Sequence, residues 1–247
     1  MTTTVSPALR AELAPTGTLR AALNFSNFLL TGKDPATGAP RGVAIDMANE
    51  LGRRLGVPVA FVGFDSPGKL ADAAGSNVWD VGFIGAEPTR ANVIDFTAAY
   101  VEIEATYLVP AGSPLRTIAD VDRPGVRISV SNRSAYELYL SRTIKQAQLM
   151  RVDGVDASYD QFVAQKHEAL AGLRPRLISD VTRLAGSKIL EGRFTAVQQA
   201  IGIPKGRSAA GAAYLRAFAE DVKASGFVAQ AIERNKAHGL TVAAKAE

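Results

Sequence analysis

Residues 42–64, GVAIDMANELGRRLG followed by VPVAFVGF, decide the fold. Ile45, Ala48, Leu51 and Leu55 recur at the three-to-four spacing of one helix face, the period of an element buried on one side. Asp46 and Glu50 come early and Arg53 and Arg54 late, as the helix dipole prefers. Gly56 supplies a left-handed cap and Pro58 blocks continuation. Val57 to Phe64 is dense in β-branched and aromatic residues and predicts a buried strand.

Outward from this helix–strand pair the alternation continues. Thr18 to Asn24, introduced by Gly17, predicts a strand, and Thr31 to Gly42 a turn-rich surface loop. Ser66-Pro67 reads as N-cap and first turn of a helix carrying Leu70, Ala73 and Ala74. Trp79 to Gly85 is another apolar strand. Alternating β and α elements point to parallel strands with helical crossovers. The pattern restarts after Pro110-Ala-Gly-Ser-Pro114: a strand at Gly125 to Val130, a helix capped by Ser134 through Leu138 and Ile144, a strand at Gln148 to Val152 and a helix over Tyr159 to Leu170. Ala200 to Pro204 predicts a strand, Ser208 opens a long helix through Leu215, Phe218 and Val222, and Gly226 separates a last helix with Val228 and Ile232. Two β/α sets joined by extended segments predict two lobes. No repeat with a period of about 20–50 residues is visible.

Composition narrows the chemistry. At 247 residues, with 47% hydrophobic and 21% charged residues, the chain has the makings of one large domain or two smaller ones. The absence of cysteine excludes disulfides, thiolate nucleophiles and cysteine-ligated metal or iron–sulfur centres. His167 and His238 are the only histidines, too few for a histidine-rich metal site, and no cofactor is implied. A net charge of +4 spread without a basic run predicts an ordinary solvated surface and no nucleic-acid partner. Nothing approaches the roughly 18 apolar residues of a membrane span. Met1 to Pro15 is polar and lacks a signal peptide's apolar core, which predicts work in the cytoplasm, or export with a leader already removed.

Gly63-Phe-Asp-Ser-Pro-Gly68-Lys69 has the spacing of a phosphate-binding loop, but Leu70 follows where Ser or Thr must ligate magnesium, and Pro67 lacks a needed N–H. It is read as a strand–turn–helix junction. His167, among Gln165, Lys166 and Glu168, predicts a surface or lobe-contacting position on a helix, and His238 a polar tail position. Asp80, at the start of an apolar strand, predicts a turn or cap. Arg90 follows Pro88-Thr89 just past a strand predicted to be parallel, where open α/β sheets bind ligands. A forked guanidinium there suits a carboxylate; the competing reading is a helix-face salt bridge.

Gly42 to Gly56, Trp79-Asp80, Pro88-Thr-Arg90, Ile94-Asp-Phe-Thr97 with Tyr100, Thr117 to Val121 before Gly125 to Val130, and Ala200 to Gly206 together resemble, in order and spacing, the family 3 solute-binding proteins, the amino-acid-type binding components of bacterial ABC importers. The resemblance spans about residues 16 to 238. It implies an α/β, type II periplasmic-binding-protein-like clamshell, with residues 1–103 plus 201–247 as one lobe, 104–200 as the other, and hinge crossings near Glu102 to Val109 and Val197 to Ile203. It also implies a small carboxylate-bearing or amino-acid ligand, an ABC transporter membrane subunit as partner, a monomer, and a periplasmic location. By the resemblance Arg90 clamps the ligand's carboxylate, helped by Phe83, Gly85, Ala86 and Glu87 before it. Asn24, Asn27 or Phe28 add contacts from the first strand's end, and Arg133 and Ser134 form an anion site at a helix N-terminus in the second lobe.

The departures bear on the ligand. Gly85 and Ala86 stand where the family commonly has a hydroxyl residue. Its second-lobe G-R-x-D-A-x-x-x-D appears as Lys166-His-Glu-Ala-Leu-Ala-Gly-Leu-Arg174, so Leu173 or Arg174 replaces the aspartate that pairs with a ligand α-ammonium. A buried ammonium without a carboxylate partner is costly, so Arg90, Arg133 and Arg174 point toward a dicarboxylate or other organic acid. The rival readings are a dehydratase-like enzyme on the same fold, with Glu87 or Glu168 as acid–base group, and a cytoplasmic sensor or scavenger.

Overall fold

In the computed structural model, which describes residues 5–246, the chain divides into two units, Met1–Glu102 with Gln198–Glu247, and Ile103–Val197. Unit 1 begins with α1 (Pro7–Leu13), β1 (Leu19–Asn24), a small hairpin of β2 (Gly32–Lys33) and β3 (Pro40–Arg41), α2 (Val43–Leu55), β4 (Val59–Phe64), α3 (Pro67–Asp72) and β5 (Val81–Gly85). The long strand β6 (Ile94–Val109) then carries the chain into unit 2. There follow β7 (Arg127–Ser131), α4 (Ala135–Thr143), β8 (Gln148–Val152), α5 (Val155–Ala164), β9 (Ala169–Leu173), α6 (Arg174–Val181) and β10 (Lys188–Ile189). Strand β11 (Thr195–Pro204) returns the chain to unit 1, which closes with α7 (Ala209–Ala224), α8 (Phe227–Arg234) and β12 (Leu240–Val242).

The strands of the two units follow one plan. In unit 1 the order is β4-β1-β5-β11; β1 runs parallel to β4 and β5, and β11 antiparallel to β5. In unit 2 the order is β8-β7-β9-β6, with β7 parallel to β8 and β9, and β6 antiparallel to β9. The helices form where capping and periodicity place them. Gly56 ends α2 in the left-handed conformation, at φ 68°, which costs glycine little. Ser66, Ser134 and Ser208 each accept a hydrogen bond from the backbone N–H three residues on, satisfying one of the donors a helix start leaves open.

Side chains alternate across each sheet. In unit 2, Tyr107, Ile128 and Val130 join Tyr136 and Leu140 in one cluster, while Leu108 and Leu170 join Tyr159, Phe162 and Leu177 in another. In unit 1, Ala22, Leu70, Trp79, Ile84 and Ile94 pack together. Each large apolar side chain so buried contributes about 1.5–3 kcal/mol.

The structure corrects the sequence expectations at several points. The helix expected over Tyr159 to Leu170 ends at Ala164, and Ala169–Leu173 is the parallel strand β9. The chain turns at Lys166, whose φ is 51°. His167 is therefore on no helix surface: it is 1% exposed, with Nδ1 2.7 Å from Ser129 Oγ and Nε2 3.0 Å from Gln165 Oε1. Asp80 is no turn cap but the buried partner of Arg20, with Nη2 to Oδ1 at 2.7 Å. The loop over residues 31–42 contains the β2–β3 hairpin, and α1 forms from residue 7 onward within the stretch read as polar; residues 1–4 of that stretch lie outside the described residues. At the phosphate-loop-like junction Ser66 caps α3 and Lys69 pairs with Asp65 at 2.7 Å, a strand–turn–helix corner as read.

Candidate functional site

Because β1, β4 and β5 are parallel, their carboxyl ends fall on one edge of unit 1, and that is where ligands meet open α/β sheets. The chain leaving β1 is tied into a tight loop by its own polar groups. The Asn24 side-chain oxygen accepts from the N–H and hydroxyl of Ser26 at 3.2 and 2.7 Å. Thr31 Oγ1 donates to the carbonyls of Asn24 and Asn27 at 2.8 and 3.0 Å, and the buried Asn27 side chain accepts from Leu29 N–H at 3.3 Å. Asn24 and Asn27 thus shape the loop, and the loop presents the aromatic rings. Phe28 is 53% exposed. Phe25 lies over Gly63, where an added Cβ would come 2.6 Å from its Cε2; no larger residue fits without moving the ring.

A cavity of about 540 Å³ opens at this edge, lined by Phe25, Phe28, Phe64, Thr31, Lys33 and Asp65 with Gly32 and Gly63. Its size and mixed apolar and polar lining suit a small molecule. The sequence named Phe28 of this wall and missed Phe25, Thr31, Lys33, Phe64 and Asp65. The rule that placed Arg90 also reaches Phe64 and Asp65, since Phe64 ends a strand recognisable from its composition.

At the end of β5 the Ala86 N–H donates to the Gln198 carbonyl at 2.7 Å. Arg90 sits in a short 3-10 turn, 4% exposed, and its Nη1 donates to the Gly85 carbonyl at 2.7 Å. The guanidinium is buried and reaches back to its own strand end. Glu87 is half-buried beside it. Phe83 is buried, edge-on to Tyr100 with ring centroids 6.2 Å apart, so its ring belongs to the core and not to the strand-end surface.

Unit 2 places Arg133 and Ser134 at the end of β7, at the start of α4. Ser134 Oγ accepts from Glu137 N–H at 3.1 Å, and Arg133, in the left-handed region at φ 58°, donates its N–H to Glu137 Oε2 at 3.1 Å. Glu137 is buried and also accepts from Ser141 Oγ at 2.6 Å and Arg151 Nε at 2.8 Å. The anion site expected at this helix start therefore holds the protein's own carboxylate. Arg174, the first residue of α6, donates Nε to Glu104 at 2.7 Å and Nη2 to the Gly192 carbonyl; it is engaged within unit 2 rather than presented as a donor. Among the described residues no group of three or more His, Asp or Glu could hold a metal ion, and no helix is long and apolar enough to cross a membrane.

A family model, bacterial extracellular solute-binding proteins, family 3, matches residues 30–236. Solved structures share the fold. A mutant of ArgBP from T. maritima aligns with TM-score 0.75 and 19% identity over 93% of this chain and 100% of that one. The solute receptors for L-cysteine of Neisseria gonorrhoeae align with TM-score 0.75 and 19% identity over 92% of each chain. The ancestral amino-acid-binding protein AncCDT-1, described as a precursor of cyclohexadienyl dehydratase, aligns with TM-score 0.74 and 20% identity over 91% of this chain and 97% of that one. No curated protein matches the chain in sequence.

Proposed function

The chain belongs to the bacterial extracellular solute-binding proteins, family 3, and from that membership we propose that it is the binding component of an ABC-type importer for a small carboxylate-bearing solute, an amino acid or an organic acid. The observation that carries the reading is the unit 1 strand edge: an aromatic-lined cavity of about 540 Å³ at the ends of β1 and β4, with the buried Arg90 at the end of neighbouring β5. The aromatic rings of Phe25, Phe28 and Phe64 accept the solute's apolar part, while Arg90 supplies the planar fork that matches a carboxylate. Such a protein works outside the cytoplasm as a monomer and delivers its solute to a membrane subunit.

Of the two acid–base candidates, Glu87 lies two residues past β5 beside Arg90, and the placement of the other speaks for binding rather than turnover. Glu168 lies just before β9 and accepts from the Arg127 N–H, Nε and Nη2 at 2.7, 3.0 and 2.7 Å. It is therefore at the amino end of its parallel strand, away from the carboxyl end where ligands meet such sheets, and its oxygens are held by an arginine.

A thermal-shift panel of amino acids, dicarboxylates and aromatic acids tests the reading on wild type, Arg90→Lys and Arg90→Ala. Ligand at about a hundred times its dissociation constant adds roughly 2.7 kcal/mol, on the order of 5–10 °C for a chain of this size. The expected outcome is a shift for at least one acid that is lost in Arg90→Ala and reduced in Arg90→Lys. Shifts untouched by either substitution would remove Arg90 from the site.

A further inference from the structure

Gly63 stands inside the edge strand β4, opposite Leu23 of β1. Its backbone is not in the left-handed region that favours glycine. A glycine within a strand weakens it and often marks the close approach of another group. The group here is the Phe25 ring, whose Cε2 and Cδ2 would lie 2.6 and 2.9 Å from a Cβ at position 63. The Phe25 backbone is fixed beside the strand end, its N–H donating to the Phe64 carbonyl at 2.9 Å. The missing Cβ thus lets the ring lie against β4, and Gly63, Phe25, Phe28 and Phe64 all line the unit 1 cavity.

The polar groups around this cavity do not invite a cation. Asp65 is shared with Lys69 at 2.7 Å. Thr31 spends its hydroxyl proton on the carbonyls of Asn24 and Asn27. Asp34, next to Lys33, turns its carboxylate onto the N–H groups of Ala36 and Thr37 at 3.0 and 2.9 Å. Lys33, which also lines the cavity, adds a positive charge. The faces of phenylalanine rings attract cations, but a cationic group entering here meets Lys33 and a carboxylate already paired. The three rings, with Phe28 53% exposed, instead offer apolar surface whose removal from water favours an apolar occupant.

We propose that the cavity takes a bulky uncharged apolar group, of which a phenyl ring is the model, and that Gly63 is the positioning residue that lets Phe25 form its wall. This rests on the solute-binding reading above and adds an apolar body to the solute's carboxylate. In Gly63→Ala the Phe25 ring must leave its place, and the surface that meets the solute's body changes with it, while β4 keeps a backbone that any residue adopts.

Calorimetric titration with matched pairs tests this: phenylpropanoate against aminopentanoate, and L-phenylalanine against L-lysine, on wild type, Gly63→Ala, Phe25→Ala and the double variant. In wild type at least one phenyl compound binds about tenfold or more tighter than its partner with a terminal ammonium. Gly63→Ala weakens that compound by about two- to tenfold, the range of one aromatic contact. In the Phe25→Ala background Gly63→Ala has no further effect, since it acts through the ring. Circular dichroism and the urea midpoint check that each variant folds. Tighter binding of aminopentanoate and lysine by wild type overturns the inference and leaves the carboxylate reading standing. An effect of Gly63→Ala that is absent in wild type, or undiminished without the Phe25 ring, removes Gly63 from the role. Phenylpropanamide separates the two readings: binding as tight as that of phenylpropanoate overturns the carboxylate and leaves the apolar cavity standing. Binding of none of these compounds overturns both.

Discussion

In unit 1, Arg20 near the start of β1 reaches across to Asp80, the residue just before β5; in unit 2, Arg127 at the start of β7 reaches across to Glu168, the residue just before β9. Arg20 offers Asp80 its N–H at 3.0 Å, Nε at 3.0 Å and Nη2 at 2.7 Å, and Arg127 offers Glu168 the same three groups. The strand registers agree, with Ala21 opposite Val81 and Ile128 opposite Ala169, each one residue past the ion pair. Each arginine also donates to the carbonyl of a left-handed residue in the turn before, Asn77 at φ 56° or Lys166 at φ 51°. The carboxyl ends of β1 and β7, by contrast, lead into different structures. Past β1 runs a long loop that presents Phe25 and Phe28, and past β7 the chain turns at once into the Ser134-capped helix. The amino edge of each sheet thus carries one shared clamp, and the carboxyl edge carries what differs, the pattern expected when one edge holds the fold and the other reads a solute.

The two clamps differ in burial, and that predicts the largest effect. The Asp80 side chain is 1% exposed and takes a further bond from Arg207 at 3.3 Å, whereas the Glu168 side chain is 35% exposed. Removing one partner of a buried pair leaves an uncompensated charge, at a cost of about 3–5 kcal/mol, while a half-exposed pair is screened and contributes about 1 kcal/mol or less. Asp80→Ala is therefore expected to lower the urea midpoint several times more than Glu168→Ala. Equal losses would mean that burial is not what separates the clamps.

The fold was legible where a local signal carried it. The face of Ile45, Ala48, Leu51 and Leu55 with Gly56 behind it defined α2, and the apolar run before Arg90 defined β5. What escaped notice depends on distant partners. His167 reads as one polar residue in a polar helix because Ser129, its partner, is 38 positions away. Arg174 reads as a free donor because Glu104 is 70 positions away. The likeness of the units leaves no sequence repeat, since it lies in roles: Asp80 and Glu168 do the same work, and Trp79 and His167, the residues before them, share only burial. The Gln165-Lys166 turn was hidden because a left-handed lysine carries no compositional mark.

The Trp79–His167 difference predicts an intermediate effect, dependent on pH. Burial holds the His167 imidazole below its usual value, with the Arg127 charge acting in the same direction and Glu168 opposing it. The groups facing the ring are Ser129 and Arg127 from β7 and Gln165 and Glu168 from its own segment. A lowered folded value means that the unfolded chain takes the proton first, so stability present above about pH 6.5 declines as the pH falls below it. The Glu168 carboxyl is also held low, chiefly by the Arg127 side chain, but its contribution is lost only as the pH falls below the unfolded carboxylate value of about 4.3. Between pH 7.5 and 5.5, hydrogen-exchange protection is therefore expected to drop by up to about tenfold more in β7 and β9 than in β1 and β5, and His167→Gln is expected to abolish the difference. A drop of the same size in both units would show that the imidazole is not its source.

The smallest effect separates the two turn residues. A non-glycine residue in the left-handed region carries about 1–2 kcal/mol of strain, less for asparagine, whose short side chain hydrogen-bonds locally. Lys166 gives Arg127 only its backbone carbonyl, at 2.8 Å, so Lys166→Gly relieves strain without losing that bond and is expected to stabilise unit 2 by about 0.5–1 kcal/mol, after the extra freedom glycine gives the unfolded chain. Asn77 also accepts from Arg20 Nη2 through its side chain, at 3.1 Å. Asn77→Gly has less strain to relieve and loses a charge-assisted bond, so it is expected to be neutral or to destabilise unit 1 by about 0.5–1 kcal/mol. Opposite signs for the two glycine substitutions in urea titrations would show that unit 1 recruits a side chain where unit 2 uses backbone alone; a gain for both would reduce Asn77 to the same backbone role as Lys166.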